Sequence, residues 1–141
     1  MFKTILVPVD LAETEASALA IERATQLADA GDGTIRLVFV RSIIPTSWTE
    51  YIPPHFDEAQ QNEAEERLAA MAATIPLPAE RVSSVVQMGS VYSEVLQEAD
   101  RIAADLVVIG SHRPSMTTYL LGSNASTIVR HAKCSVLVVR A

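Results

Sequence analysis

Along the chain, five short apolar runs rich in β-branched residues alternate with longer segments of helical period. The runs predict strands at residues 4–9, 34–40, 81–87, 105–110 and 135–140. The first, fourth and fifth are continuously apolar, which is typical of strands that are covered on both faces. The order βαβαβαβαβ therefore predicts an α/β fold, a doubly wound, Rossmann-like domain whose five-stranded parallel sheet carries four helices on its two faces.

The segments between the strands predict helices at residues 13–31, 57–75, 90–104 and 124–131. Gly31 is a predicted stop for the first helix. Asp57 is a predicted N-cap for the second helix, with Gln60 three residues later as in a capping box. Because domains usually run to about 100–200 residues, we expect one domain over residues 1–141.

The charge balance and cysteine content exclude several classes of protein. The chain has a net charge of −6 and only two lysines, which argues against a nucleic-acid partner. No apolar run approaches the length of a membrane helix, and the N-terminus lacks the pattern of a signal peptide. The single cysteine, Cys134, rules out an intrachain disulfide and fits a cytoplasmic protein.

Three loops at the predicted strand ends carry glycine or aspartate. They are "PVD" at 8–10, "MGS" at 88–90 and "GSHRPS" at 110–115. Because ligands of doubly wound sheets bind beyond the carboxyl ends of the strands, we expect these loops to meet at one ligand site.

The last of these loops belongs to a longer polar stretch, residues 110–126, that leads into the fourth helix. Free backbone N–H groups at that helix's start, with hydroxyl groups and Arg113, would form an anion site. The alternative is a plain connector in which Ser123 caps the helix, Gly110 allows a tight turn and Arg113 is solvated. The pattern by itself leaves both interpretations open. The chain has neither a P-loop motif nor G-x-G-x-x-G after the first strand, which argues against a P-loop site and an ordinary dinucleotide site.

The opening "ILVPVD", the "MGS" turn and the closing "VVIGSHRPSMTTYLLGSNASTIVRHAKCSVLVVR" resemble a universal stress protein over essentially the whole chain. Within that family the chain is most similar to the short, single-domain F-type bacterial members. Many members bind ATP through G-x2-G, nine residues, then G-[ST]. Here Gly110 and Gly122-Ser123 match, but Arg113 replaces the second glycine and the spacer is one residue short.

The resemblance implies a pocket for ATP, and Mg²⁺ can be delivered to it with the nucleotide. Pro8, Val9 and Asp10 would border the adenosine, Val40 would offer backbone groups to the adenine, and Gly89 would let the ribose approach. Ile109 and Gly110 would form the floor. The residues implied around the phosphates are Arg113, Gly122, Ser123, Asn124 and Ala125. For Asp10 the alternative is an N-cap of the first helix, and for Val40 it is ordinary core packing.

No set of residues identifies a catalytic centre or a metal site. His112 is interpreted as a solvated loop residue, and Cys134 as a core residue. The leading hypothesis is therefore an ATP-binding stress-response sensor with little or no turnover. The alternatives are a slow ATPase or self-phosphorylating protein, with acceptors among Ser111, Ser115, Thr117, Thr118 and Ser123, and a nucleotide-independent interaction module.

The apolar last strand, residues 135–140, is unsuited to an exposed sheet edge. We expect it to pair with its counterpart in a second chain and form a two-fold homodimer, which the family resemblance also implies.

Overall fold

The computed structural model describes residues 1–43, 46–111 and 122–140. The strands are β1 (Thr4–Pro8), β2 (Thr34–Arg41), β3 (Val82–Met88), β4 (Leu106–Gly110) and β5 (Ser135–Val139). The helices are α1 (Thr14–Gly31), α2 (Phe56–Ala73), α3 (Val91–Arg101) and α4 (Ser123–His131). Short 3-10 helices lie at Thr46–Tyr51 and Ala79–Arg81. None of the helices in these ranges combines the length and the apolar character that crossing a membrane requires.

The five strands form one parallel sheet in the order β3-β2-β1-β4-β5. The chain builds outward from β1 to β3, then returns to the other side of β1 and continues to β5. The loop after β1 leads to a helix on one face of the sheet, and the loop after the adjacent β4 leads to a helix on the other face. The place between these two strand ends is the switch point, where doubly wound folds bind ligands. The predicted α/β fold class is confirmed, with five parallel strands and four helices.

Each face of the sheet packs against two helices. Ile5 and Val7 of β1 lie in one buried cluster with residues of α1 and α2, whereas Leu6 lies in a second cluster with Val95 of α3 and Ile128 of α4. Alternate side chains of a strand point to opposite faces, so a strand between two helical layers must be apolar at every position. This explains the uninterrupted apolar run at the start of the chain.

The predicted end of the first helix agrees with the structure, although another residue adopts the left-handed conformation there. The first helix does end at Gly31, but the left-handed residue is Asp32 (φ 53°), whose N–H donates to the Ala28 carbonyl. Gly31 instead allows close packing, because a Cβ there would lie 2.7 Å from the Met1 side chain.

The prediction that Asp57 caps α2 is wrong. The helix begins at Phe56, and the N-cap position is His55, which has a left-handed backbone (φ 63°). The Asp57 carboxylate lies in the first turn and accepts a 2.7 Å hydrogen bond from Arg41 of β2. The Asp57 side chain, which local capping rules assign to the helix end, instead pairs with Arg41, a residue 16 positions earlier in the chain.

Candidate functional site

A cleft of about 380 Å³ opens at the carboxyl ends of β1, β2 and β4, between the starts of α1, α3 and α4. Its volume is within the usual range for small-molecule sites, about 300–1,000 Å³. Most of the residues implied by the family resemblance line it: Pro8, Val9, Asp10, Val40, Ile109, Gly110, Asn124 and Ala125. The sheet's switch point thus brings together residues that are more than 100 positions apart in the chain.

Asp10 belongs to a tight turn between β1 and α1. Its Oδ1 accepts a hydrogen bond from the Ala12 N–H at 2.9 Å, and its carbonyl accepts one from the Glu13 N–H at 3.1 Å. Its own N–H donates to Oγ of Ser17, a buried residue of α1, at 3.0 Å. The N-cap position of α1 is Glu13, so Asp10 closes the turn before the helix and does not cap the helix itself. Asp10 is exposed at the cleft and is held there from both sides.

Val40 lies at the carboxyl end of β2 and serves both interpretations given above. It is buried in the cluster that contains Val95 and Ile109, and it also lines the cleft. The neighbouring backbone is fixed by the sheet, since the Val9 N–H donates to the Val38 carbonyl at 2.8 Å. The β2 end is therefore a rigid wall of the cleft.

Gly110 ends β4 at the point where α1 crosses most closely. A Cβ on Gly110 would lie 2.3 Å from the carbonyl oxygen of Ala16 and 2.8 Å from its carbonyl carbon. Both atoms belong to the backbone of α1, so no side-chain movement could make room. Glycine at this position is explained by the packing of helix on strand.

The fourth helix begins with Gly122 at its N-cap position and Ser123 as its first residue. Ser123 is thus not the cap that the connector interpretation requires, and no side-chain cap is formed. The first N–H groups of a helix have no partner within the helix, and Asn124 and Ala125 present this turn to the cleft. Gly122 and Ser123 lie next to the cleft but do not line it.

Gly89 does not line the cleft, although Val91, two residues later, does. It has a positive φ of 146°, and its N–H donates to the Arg41 carbonyl at 2.9 Å. Its glycine character is accounted for by this backbone conformation at the turn into α3. Arg113, like the predicted loop residues His112, Ser115, Thr117 and Thr118, lies outside the described residues.

Sequence reasoning missed part of the cleft wall. The missed residues that line it are Glu13, Ala16, Ser17, Val38, Phe39, Arg41, Ser42, Val91, Val95 and Ile128, whereas Ser111, which also lines it, was predicted from its place in the loop. Val91 and Val95 follow the helical period of α3, which the sequence predicts, but only the topology shows that this face reaches the cleft. Arg41 carried a usable signal, because a charged residue directly follows the apolar run at 37–40.

Charged groups in the described lining are Asp10, Glu13 and Arg41. In the part of the chain that the structure covers, no cluster of three or more His, Cys, Asp or Glu is placed to hold a metal ion. Cys134 lies away from this cleft and packs against the α3–α4 side of the core. Burial raises the pKa of its thiol, and the carboxylates of Asp105 and Asp100 add to the rise.

Comparison with known proteins places these features in context. Residues 1–140 match the model of the universal stress protein family. The chain is 44% identical to universal stress protein G of Escherichia coli O157:H7 over 146 aligned positions, which cover 99% of this chain and all of the relative.

Solved structures share the fold. Universal stress protein A from Lactobacillus plantarum superposes with a TM-score of 0.79 at 22% identity, covering 98% of this chain and 97% of that one. A universal stress protein in complex with cAMP has a TM-score of 0.61 at 26% identity, with 99% and 97% coverage. An Arabidopsis thaliana family member with AMP bound has a TM-score of 0.65 at 18% identity, with 98% and 91% coverage.

Proposed function

The chain belongs to the universal stress protein family, and from this premise we propose that it binds an adenine nucleotide, ATP, in the cleft at its sheet switch point. We propose further that it acts as a stress-response sensor of that nucleotide, with little or no turnover. The observation that carries the proposal is the convergence of Asp10, Gly110 and Ala125 on one cleft at the carboxyl ends of parallel strands. The solved relatives that hold cAMP and AMP support an adenine nucleotide as the ligand class.

In the proposed complex, the adenosine lies over the ends of β1 and β2. The apolar walls of Val9, Val40 and Ile109 suit the planar base, and the rigid backbone of β2 offers hydrogen-bonding groups to its edge. Oδ1 of Asp10 is engaged by Ala12, so the second carboxylate oxygen is proposed to accept from a ribose hydroxyl.

The phosphates are proposed to lie at the start of α4. The free N–H groups of its first turn and the positive end of the helix dipole favour an anion beside Asn124 and Ala125. Gly122, Ser123 and the guanidinium of Arg113 complete the proposed phosphate site, with any Mg²⁺ arriving as the counter-ion of ATP. Gly89 is proposed to lie beside the ribose, although, like Gly122 and Ser123, it does not line the cleft.

The test is calorimetric titration of nucleotide-free protein with ATP, AMP, cAMP and GTP. Adenine nucleotides are expected to bind and GTP to bind at least about tenfold more weakly, because a base edge read by fixed backbone groups rejects a mismatched pattern. Asp10→Ala should weaken ATP binding about tenfold, the loss of one charge-assisted hydrogen bond. Asp29→Ala is the matched control, since Asp29 is an exposed residue of α1 on the part of the helix remote from the cleft.

Absence of heat with every adenine nucleotide would end the proposal. Phosphate release from ATP that Asp10→Ala abolishes would instead favour the slow ATPase, and incorporation of γ-phosphate into the protein would favour self-phosphorylation. Binding of a partner protein that is unaffected by nucleotide would favour the interaction module.

We also propose a two-fold homodimer through β5, in one nucleotide-binding domain over residues 1–141. This strand forms one edge of the sheet, where Leu137 is 37% exposed, and Val129 on the adjoining α4 is 44% exposed. An apolar edge strand is stabilised when it is paired or covered. Leu137→Arg should convert the dimer to a monomer in sedimentation velocity, and a wild-type monomer at micromolar concentration would contradict the proposal.

We also propose a cytoplasmic location, since a single cysteine suits a reducing compartment.

A further inference from the structure

A second cleft, of about 370 Å³, lies beside the first and shares one wall with it. The shared wall is the end of β2 and the residue that follows, namely Phe39, Arg41 and Ser42. The other sides of the second cleft come from the β1–α1 turn and from α2, and consist of Leu11, Ala12, Phe56, Gln60, Glu63, Ala64 and Arg67. The proposed nucleotide site does not use this cleft.

Arg41 gives the second cleft a buried cation. Its side chain is only 9% exposed, although arginine is seldom buried without strong partners. Nη2 donates to Asp57 at 2.7 Å and Nη1 donates to Gln61 at 2.9 Å, which uses two of the five N–H donors of a guanidinium. The acidic partner, Asp57, is itself 61% exposed, so its charge is largely screened by water. Arg41 thus places a buried guanidinium in the wall of the cleft, with N–H donors beyond the two used by Asp57 and Gln61.

Arg67 supplies a second cation from the opposite side. It reaches from α2 across to the β1–α1 turn, where Nη2 donates to the Leu11 carbonyl at 2.8 Å. That bond holds the guanidinium in place at the cleft, and so reduces the rotamer entropy that binding a ligand would cost. Glu63 is the only acid among the described residues of the lining, and Asp57 already pairs with Arg41, so the guanidinium of Arg67 is the cation without a carboxylate partner in the described contacts.

The rest of the lining is apolar or uncharged. Phe39 and Phe56 contribute phenyl rings, Leu11 and Ala64 contribute aliphatic surface, and Gln60 and Ser42 contribute hydrogen-bonding groups. Guanidinium groups pair with planar oxyanions through parallel N–H donors, and aromatic walls favour a flat apolar body. The cleft therefore combines the two features that recognise a small aromatic acid.

We propose that the second cleft is a binding site for a small aromatic oxyanion, separate from the nucleotide cleft. The oxyanion lies between Arg41 and Arg67, and the ring lies against Phe39 and Phe56. The oxyanion can be a carboxylate or a phosphate ester, so benzoate and phenyl phosphate serve as the two probes, and benzyl alcohol serves as their uncharged counterpart.

The experiment is an amide NMR titration of the ¹⁵N-labelled full chain. One or both charged probes should give saturable shifts at Leu11, Ala12 and Gln60, with dissociation constants on the order of 1 mM for ligands of this size. Benzoate alone would identify a carboxylate site, and phenyl phosphate alone would identify a phosphate-ester site. Benzyl alcohol should bind at least about tenfold more weakly, because the paired charge contributes a charge-assisted hydrogen bond.

Variants give the sign of the charge effect. Arg67→Gln should weaken probe binding about tenfold, and Glu63→Gln should strengthen it a few-fold by removing the opposing charge. Both residues are exposed, so neither change threatens folding. Arg23→Gln, an exposed arginine of α1 outside both clefts, is the matched control and should change nothing.

Failure of both charged probes to give saturable shifts would overturn the proposal. Equal binding of benzyl alcohol would do so too, as would shifts confined to Gly110 and Ala125, which belong to the nucleotide cleft. AMP titrated into the same labelled sample tests the nucleotide cleft independently through those two residues. The two proposals therefore succeed or fail separately.

Discussion

Replacing Gly110 by alanine tests how α1 packs on β4 beside the proposed nucleotide cleft. The added Cβ would lie 2.3 Å from the Ala16 carbonyl oxygen, inside ordinary van der Waals contact by about 1 Å. The obstructing atoms are main-chain atoms of α1, in the turn after the loop that carries Asp10. The clash can be relieved only by moving the start of α1 away from the sheet.

The size of the effect follows from that rigidity. Overpacking a well-packed site costs about 1–3 kcal/mol, and a clash with helix backbone falls at the upper end, about 3 kcal/mol. Urea unfolding followed by far-ultraviolet circular dichroism measures it. With a slope of about 2 kcal/mol per molar for a chain of this size, the midpoint should fall by about 1.5 M. Displacement of α1 also separates Ser17 from Asp10, so we expect ATP affinity to fall in parallel.

A second variant identifies the atoms responsible. Ala16→Gly combined with Gly110→Ala removes the Ala16 methyl group, which a Cβ on Gly110 would meet at 3.1 Å, but keeps the carbonyl. The double variant should therefore be at least as unstable as Gly110→Ala, since glycine also lowers the stability of a helix. Recovery of most of the lost stability, or a midpoint for Gly110→Ala within about 0.3 M of the parent, would refute the backbone-packing explanation.

Three further perturbations have defined outcomes. Asp10→Asn keeps an oxygen for the Ala12 N–H but loses the charge, so the free energy of unfolding in urea should change by less than about 0.5 kcal/mol while ATP affinity falls in calorimetry. A loss of stability without a loss of affinity would contradict the proposed role of the Asp10 carboxylate in binding ATP. Glu98 is fully buried in α3 and accepts from Arg36 at 2.7 Å, from Gln87 at 3.1 Å and from Arg101. Glu98→Gln should therefore cost about 2 kcal/mol in the same unfolding assay, less than the usual cost for a buried pair because both arginines are partly solvated, and an unchanged midpoint would show that this network contributes nothing. Burial raises the pKa of Cys134, which lowers the fraction of thiolate in the native state. The pH midpoint of its alkylation rate should therefore be higher in the native than in the urea-unfolded protein, and equal midpoints would contradict the raised pKa.

The fold was largely predictable because its signal is local and repeated. A strand between two helical layers must be apolar at every position, and the sequences of β1 and β4 are uninterrupted apolar runs. The order of strands and helices then restricts the topology, and the topology brings the carboxyl ends of β1, β2 and β4 together. For this reason the loops at Asp10 and Gly110 could be assigned to one site from sequence.

The features that could not be predicted arise where a contact distant in sequence overrides a local preference or adds a second constraint. Asp57 has the chemistry of an N-cap, but the buried guanidinium of Arg41 offers it a stronger partner. Gly110 matched a ligand motif, yet its lack of a side chain is required by the crossing of α1, which no pattern within the loop reveals. Ser17 and Val95 line the cleft from two different helices, and only their packing on the sheet places them there.

Titration of ¹⁵N-labelled, nucleotide-free protein with ATP tests the central claim most directly, since the amides report the location of the ligand as well as its binding. Saturable shifts should appear together at Asp10, Val40, Gly110 and Ala125, four residues from separate segments that meet only at the sheet switch point. Saturation with shifts elsewhere, or no shifts at any of these four amides at millimolar ATP, would contradict the account.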